Sequence, residues 1–243
     1  MKYPIFVISL AKDEERRNQL KNQFSSYDEF NIIDSIEGNK LNIQEYFKYL
    51  SASLEKYNVL ISPNELGCTL SHIKAYEEFL RTDVEYCLIL EDDIIGSDEI
   101  IEKAFSLTDK IPENAMILLG GGYPKAWGKK IADNFYQISR YSLERIYNAH
   151  AYILDRQAAE NLLTIQKDAA TLTDIWCLLL PQKNISLYFS DLIRQNYDEN
   201  LSNIEIEREI KTKNHLNPRK IRGLKYNLMR IIDRHFSEFI VDK

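Results

Sequence analysis

Short apolar runs separated by polar, periodic stretches extend over most of the chain. The runs at 3–10, 31–36, 86–90, 116–119 and 148–154 have the composition of strands that are covered on both faces of a sheet. The stretches between them predict helices with one apolar face, because their apolar residues recur three or four positions apart. Strands that alternate with helices predict an α/β domain with a mainly parallel, Rossmann-like central sheet.

The clearest helix start is at Ser62. Pro63 suits the first helical position, and Ser62 with Glu65 forms a capping-box pair. Asp13 is predicted to cap an earlier helix, and Arg156 to begin a later one. These signals place helices directly after or before the predicted strands.

The C-terminal part of the chain differs in charge from the rest. Residues 211–234 contain eight Lys and Arg and one acid, although the net charge of the whole chain is −6. Apolar positions recur at helical spacing as far as Phe239. We therefore expect a catalytic domain at 1–208 and a basic amphipathic tail at 209–243 that binds an anionic membrane surface. The alternative is an ordinary terminal helix that docks on the domain.

Composition limits the class of protein. With 243 residues, 44% of them hydrophobic, the chain is long enough for one substantial core. It contains neither an apolar run of about eighteen residues nor a signal-peptide pattern. The three cysteines are odd in number and far apart, which favours reduced thiols. These features predict a cytoplasmic protein, peripheral on the inner face of the inner membrane through its tail, with no nucleic-acid partner.

The acidic triplet Glu91, Asp92 and Asp93 follows a predicted strand directly. In open α/β sheets, ligands bind outside the carboxyl ends of the strands. Carboxylates held together repel one another, and a divalent cation relieves that repulsion while neutralising the charge of a leaving diphosphate. The triplet is thus one way to hold a cation on a leaving nucleotide diphosphate, and the alternative is a solvated acidic loop.

Several segments, taken in order, resemble glycosyltransferase family 25, the lipooligosaccharide galactosyltransferase-like family. They are VISL at 7–10 with KDEERR at 12–17, ISPNELGCTLSHIKAYEEFL at 61–80, LILEDDI at 88–94, AHAYIL at 149–154, DIW at 174–176, Gln195 and SNI at 202–204. The resemblance covers about residues 1–205. It implies a glycosyltransferase fold of the GT-A type, in which an acidic motif binds a metal ion.

The resemblance also implies roles for the matched positions. Asp93 would bind the metal directly, with Mn²⁺ as the expected ion. Glu91 and Asp92 would orient the ribose, the diphosphate or a metal-bound water. Ser9 and Leu10, at the end of the first strand, and Arg16, on the helix after it, would lie near the nucleotide. At the position of Ser9 the family more often has Asn.

Four further residues are candidates for the vicinity of the donor or the acceptor. A histidine beside the apolar face of a helix, as His72 is predicted to be, more often makes a structural hydrogen bond. Only the resemblance suggests a functional role for it. His150 lies in a predicted strand from which it could approach the donor phosphates or the acceptor. Asp174 is the candidate general base, because inverting transfer needs a carboxylate beside the acceptor hydroxyl; the alternative is a helix cap. The ring of Trp176 is expected to stack on a sugar.

The function expected from these observations is the metal-dependent, inverting transfer of a hexose to a lipooligosaccharide or other glycolipid acceptor. UDP-galactose is the expected donor. The alternatives are a metal-dependent phosphohydrolase or nucleotidyltransferase, and a membrane-associated scaffold without catalytic activity. A glycosidase is disfavoured, because its two carboxylates must flank one bond across a cleft. The glycines at 120–122 match no phosphate-binding pattern and predict a loop near the sugars.

Overall fold

The computed structural model describes residues 2–121, 126–196, 231 and 237–240. The strands are β1 Ile5–Ser9, β2 Asn31–Asp34, β3 Tyr86–Glu91, β4 Ile94–Ile95, β5 Ala115–Leu118, β6 Ala126–Ala132, β7 Phe135–Ile138, β8 Ala151–Asp155, β9 Ser186–Phe189, β10 Arg194–Gln195 and β11 Glu238–Ile240. The α-helices are α1 Glu14–Gln23, α2 Ile43–Tyr57, α3 Pro63–Leu80, α4 Asp98–Ser106, α5 Arg156–Asp168 and α6 Trp176–Leu179.

One large sheet forms the centre of the molecule. Its strands lie in the order β11, β6, β7, β9, β5, β8, β3, β1, β2, and β4 pairs separately with β10. Strand β1 is parallel to β2 and β3, and β5 is parallel to β9. Strand β8 is antiparallel between β3 and β5. Strands β2, β1, β3, β5, β9 and β6 run in one direction, which confirms the predicted α/β fold with a mainly parallel central sheet.

Strand β1 shows why its sequence is apolar throughout. Ile5 and Val7 pack with residues of α1 and α4, whereas Phe6 and Ile8 pack with residues of α3 and α5. Successive side chains of a strand point to opposite faces, so helices on both faces require an uninterrupted apolar run. The sheet therefore lies between two layers of helices.

The predicted helix starts are confirmed at α3 and α5, and one capping contact is corrected. Ser62 and Glu65 form the complete capping box of α3. Helix α5 begins at Arg156, and Asp155 caps it by accepting a hydrogen bond from the backbone of Ala158. Asp13 stands at the N-cap of α1, but its side chain makes no capping hydrogen bond.

Two glycines allow α3 to approach the loop after β2, and this contact predicts a large effect on stability. A Cβ added at Gly67 would lie 2.5 Å from the carbonyl oxygen of Ile36 and 2.6 Å from the backbone nitrogen of Gly38. We expect Gly67→Ala to lower the free energy of unfolding by about 1–3 kcal/mol, because backbone atoms cannot move aside as a side chain can. Urea denaturation measures the loss.

The control for this substitution is Gly96→Ala. A Cβ at Gly96 would meet a ring atom of Phe24 at 3.0 Å, and that contact is with a side chain. We expect the smaller loss here. An equal loss of stability in the two variants would contradict the backbone argument.

Most of the predicted tail at 209–243 lies outside the described residues, as do the matched segment 202–204 and the last glycine of 120–122. Residues 238–240 are described, and they pair antiparallel with β6 as strand β11. Helical spacing had assigned this end of the tail to a helix, so the structure corrects that assignment. Within the described ranges, no helix combines the length and apolarity needed to cross a membrane.

Candidate active site

The acidic triplet lies beside the carboxyl ends of the parallel strands β1, β2 and β3. Glu91 is the last residue of β3, and Asp92 and Asp93 form the turn into β4. Strand β8 runs in the opposite direction, so His150, just before β8, lies at the same end of the strands. There its carbonyl accepts a hydrogen bond of 2.7 Å from the backbone of Glu91. The fold thus collects polar side chains from several strand ends at one place.

Asp93 has a strongly raised pKa. Its Oδ2 accepts a 3.0 Å hydrogen bond from Gln195, and its buried Oδ1 has no hydrogen-bond partner in the described structure. Burial, followed by the charge of Glu91, raises the pKa of Asp93 to about 7. A buried oxygen without a partner is costly, and a divalent cation would relieve that cost through the oxygen ligand it prefers. The residues present therefore fit a divalent cation with Asp93 as a ligand.

Arg16 gives the triplet a positive neighbour. Its guanidinium lies 3.0 Å from Oδ1 of Asp92 and 3.8 Å from Oδ2 of Asp93. Burial raises the pKa of Asp92, and hydrogen bonds from Ser9 and Arg16 oppose this only in part. Burial acts to lower the pKa of Arg16, but the contact with Asp92 outweighs it and the pKa is raised. The structure brings the predicted nucleotide-side arginine into contact with the triplet.

Arg17 joins the ends of the first two strands, a role that sequence reasoning missed. It donates hydrogen bonds to the side chain and the carbonyl of Ser9, at 2.9 and 3.1 Å, and to Asp34 at 3.0 Å. Ser9 is buried, and Leu10 follows it with its carbonyl accepting from the backbone of Asp13. The only signal in the sequence was the pair of adjacent arginines, Arg16 and Arg17, in the first turn of the predicted helix after the strand.

His72 approaches the triplet from α3. It is fully buried, with Nε2 3.3 Å from the carboxylate of Glu91 and Nδ1 2.7 Å from the hydroxyl of Tyr152. Tyr152 in turn donates a 3.1 Å hydrogen bond to Tyr76. Burial acts to raise the pKa of Glu91, but the contact with His72 and the positive charge of Arg16 oppose it, and this pKa is lowered. Glu91 is therefore held as a carboxylate.

His150 is buried in a fixed tautomer. Its Nε2 lies 3.2 Å from the carbonyl oxygen of Ile193, and since a carbonyl can only accept, Nε2 carries the proton. Burial lowers the pKa of His150, which favours the neutral ring. Its Nδ1, a hydrogen-bond acceptor in that form, has no partner in the described structure. The ring is buried, so in this structure it makes no surface available to a ligand, and the role predicted for His150 from the sequence stays a prediction.

Trp176 lies behind the site. Its side chain is completely buried, contacts the ring of Tyr152 and donates a 3.1 Å hydrogen bond to the carbonyl of Asn148. Asn148 donates at 3.0 Å to Gln195, which holds Asp93. The expected stacking on a sugar is corrected, because a buried ring offers no face to a ligand. Sequence reasoning matched Gln195 without assigning it a role.

Asp174 is half-buried on a short segment that is anchored at both sides. The hydroxyl of Thr173 lies 3.3 Å from that of Thr69 on α3, and Trp176 is held by Asn148. Helix α6 begins at Trp176, with Ile175 as its N-cap and no side-chain capping bond. Ile175, and not Asp174, therefore occupies the N-cap position of α6.

A cavity of about 460 Å³ lies at the opposite end of the strands, where β7 ends and β9 begins. Its lining residues are Lys129, Gln137, Ile138, Ser139, Arg140, Leu143, Pro181, Asn184, Ile185, Ser186, Leu187 and Ser237. These include no carboxylate, so they offer no acidic ligands to a divalent cation. We therefore place the candidate active site at the triplet and not at this cavity.

A family model described as glycosyltransferase family 25 (LPS biosynthesis protein) matches residues 2–177. Among curated relatives, the lipooligosaccharide biosynthesis protein lic2B of Haemophilus influenzae is 26% identical over 172 residues, which are 65% of this chain and 61% of that protein. Human procollagen galactosyltransferase 2 is 26% identical over 115 residues, which are 45% of this chain and 18% of that protein. The chain thus spans less than two thirds of the length of either relative.

Among solved structures, the inositol-1-phosphate CTP transferase from T. maritima is similar with a TM-score of 0.38 and 11% identity. The likeness covers 89% of this chain and 99% of that one. It supports no statement about function.

Proposed function

The chain belongs to glycosyltransferase family 25, and we propose that it transfers a hexose from a nucleotide-sugar donor to a lipooligosaccharide or other glycolipid acceptor. The observation that carries the proposal is Asp93, a carboxylate with an unpartnered buried oxygen at a strand end, beside a charged Arg16. The names of lic2B and of procollagen galactosyltransferase 2 support a lipooligosaccharide acceptor and a galactose donor, respectively.

On the donor side, Asp93 would hold a divalent cation, for which Mn²⁺ is the expected ion. When bound, that cation supplies neutralisation of charge on the leaving diphosphate. Arg16 has a second donor group with which to bind a phosphate oxygen, in addition to its contact with Asp92. Ser9 and Leu10, at the end of β1, lie on the side proposed for the nucleotide.

On the acceptor side, Asp174 is the proposed general base. It takes the proton from the acceptor hydroxyl as that oxygen attacks the anomeric carbon, which gives inversion. His150 lies at the same strand ends as the triplet, where its carbonyl accepts a hydrogen bond from the backbone of Glu91, and we assign it to the surroundings of the bound sugars. These roles need no direct contact between the two residues.

The decisive experiment combines donor binding with transfer. With Mn²⁺ present, UDP-galactose is expected to raise the melting temperature more than other UDP-hexoses do, because a ligand of the folded form stabilises it. Transfer of radiolabelled galactose should depend on a lipooligosaccharide acceptor that lacks its terminal hexose. Sugar release at the same rate without acceptor would indicate a phosphohydrolase, and failure to bind both Mn²⁺ and UDP would indicate a scaffold.

A membrane location is a further part of the proposal and comes from charge alone. The eight cations at 211–234 are expected to bind anionic lipid, each contributing about 1 kcal/mol near the surface. Co-sedimentation should be strong with vesicles containing phosphatidylglycerol, weak with phosphatidylcholine, and reduced by salt. Equal binding to the two kinds of vesicle would contradict the proposed attraction of the basic segment to anionic lipid.

The affinity for Mn²⁺ is predicted to rise with pH through about 7. Only the ionised carboxylate binds the cation, and the pKa of Asp93 is raised to about 7, so affinity should be about tenfold weaker at pH 6 than at pH 8. Calorimetry in two buffers of different ionisation enthalpy measures both the affinity and the proton released. Gln195→Met removes a hydrogen bond that lowers this pKa and should shift the midpoint to higher pH. An affinity independent of pH would contradict Asp93 as the ligand.

A further inference from the structure

Three chemically different metal ligands meet between α3 and the end of β3. The Sγ of Cys68, a ring nitrogen of His72 and a carboxylate oxygen of Glu91 all lie within 4.8 Å of one another. Cys68 and His72 are four residues apart on α3 and so share one face of the helix. The third ligand is 19 residues further along the chain than His72, and only the fold brings it to the other two.

The contact between His72 and Glu91 is longer than a strong charge-assisted hydrogen bond. Its N···O distance is 3.3 Å, whereas a charge-assisted N–H···O hydrogen bond is usually about 2.7–2.9 Å. Two ligand atoms that each lie about 2.0–2.1 Å from a tetrahedral zinc ion are about 3.3 Å apart. The separation leaves room for a small cation between the two groups.

The hydroxyl of Tyr152 holds the ring of His72 from its other side, 2.7 Å from Nδ1. Nε2 of the same ring faces the carboxylate of Glu91 at 3.3 Å. Metal-binding histidines are commonly held by such a partner on the second ring nitrogen.

We propose that Cys68, His72 and Glu91 bind a second divalent ion of the zinc type. A thiolate and an imidazole select zinc-like ions, whereas Mn²⁺ prefers oxygen ligands such as Asp93. Three protein ligands leave a tetrahedral ion one position for water or a substrate oxygen. The ion fixes Glu91 and hence the end of β3 from which Asp92 and Asp93 extend. This site does not depend on the proposed transferase function.

Cobalt is the spectroscopic probe for this site, since it replaces zinc in such ligand sets. One equivalent of Co²⁺ added to the reduced protein is expected to give a sulfur-to-cobalt charge-transfer band in the near ultraviolet, and excess Zn²⁺ should remove it. Cys68→Ser is expected to abolish the band. Cys177→Ser is the matched control, because Cys177 is also a half-buried thiol and lies on α6; it should keep the band.

A measurement on the unaltered chain covers the case in which Cys68→Ser fails to fold. Zn²⁺ is expected to slow alkylation of Cys68 at least tenfold, as followed by peptide mass spectrometry, and to leave the rate at Cys177 unchanged. The absence of a cobalt–thiolate band in the unaltered protein, its survival in Cys68→Ser, or unprotected alkylation of Cys68 would overturn the proposal. The proposed transferase function is tested separately, by assaying transfer with Mn²⁺. Failure of the proposed metal site is therefore distinguishable from failure of the proposed transferase function.

Discussion

Asp93→Asn is expected to reduce metal-dependent transfer by about 10³-fold, which corresponds to about 4 kcal/mol of lost transition-state stabilisation. The amide keeps the shape of the side chain but loses the charge that holds the cation. Steady-state kinetics with saturating UDP-galactose and Mn²⁺ measure the loss. Calorimetry should show that Mn²⁺ binding is lost together with turnover.

The same substitution should stabilise the metal-free protein. The pKa of Asp93 is raised from 3.8 to about 7, so burying its ionised form opposes folding. This penalty is absent below pH 3.8, grows as the pH rises toward 7, and is fully present above it. We expect a gain on the order of 2 kcal/mol at pH 8 and none near pH 4, measured by urea denaturation with a chelator present.

The control for Asp93→Asn is Asp133→Asn. Asp133 lies in the exposed turn between β6 and β7, with a fully exposed side chain, so its replacement removes the same charge without touching the sheet edge. It should change neither turnover nor the pH dependence of stability. Near-normal turnover of Asp93→Asn, or a loss of stability at pH 8, would refute the role assigned to Asp93.

Asp174→Asn is expected to lower kcat by about 10²–10⁴-fold while donor affinity changes little, because a general base acts on the acceptor proton and not on the nucleotide. Rapid-quench turnover and UDP-galactose binding measure the two quantities separately. The acidic limb of the pH–rate profile should disappear with the base.

The matched control here is Asp168→Asn. Asp168 ends α5, is largely exposed and pairs with Lys56, so it shares the charge of Asp174 but not its position. Its replacement should leave kcat unchanged. An unchanged kcat in Asp174→Asn would point to another base, and a loss of donor binding would indicate a structural role for this segment.

The strands and the start of α3 were predictable because local physics determines them. An apolar run such as Ile5–Ser9 has few other ways to bury its side chains, and Ser62 with Glu65 satisfies backbone groups within one turn. The direction of β8 was not predictable, since an apolar run has the same composition in parallel and antiparallel pairs. The burial of Trp176 likewise depends on packing against Tyr152, which the neighbouring sequence does not reveal.

The candidate site was predictable in its centre but not in its surroundings. A triplet that ends an apolar run marks a strand end, and that position is enough to suggest a cation site. The partners that set its electrostatics come from distant parts of the chain. Arg16 is 76 residues from Asp92, and Gln195 is 102 residues from Asp93. No pattern of spacing within one chain shows such pairs.

Strand β11 affects how the basic segment can be studied. Its backbone pairs with β6, so deleting everything after residue 208 would leave a row of unsatisfied peptide groups along the sheet margin. Such a margin attracts other chains, and a truncated protein would self-associate for reasons unrelated to lipid. Replacing individual lysines and arginines with glutamine, while keeping the final strand in place, separates the two effects.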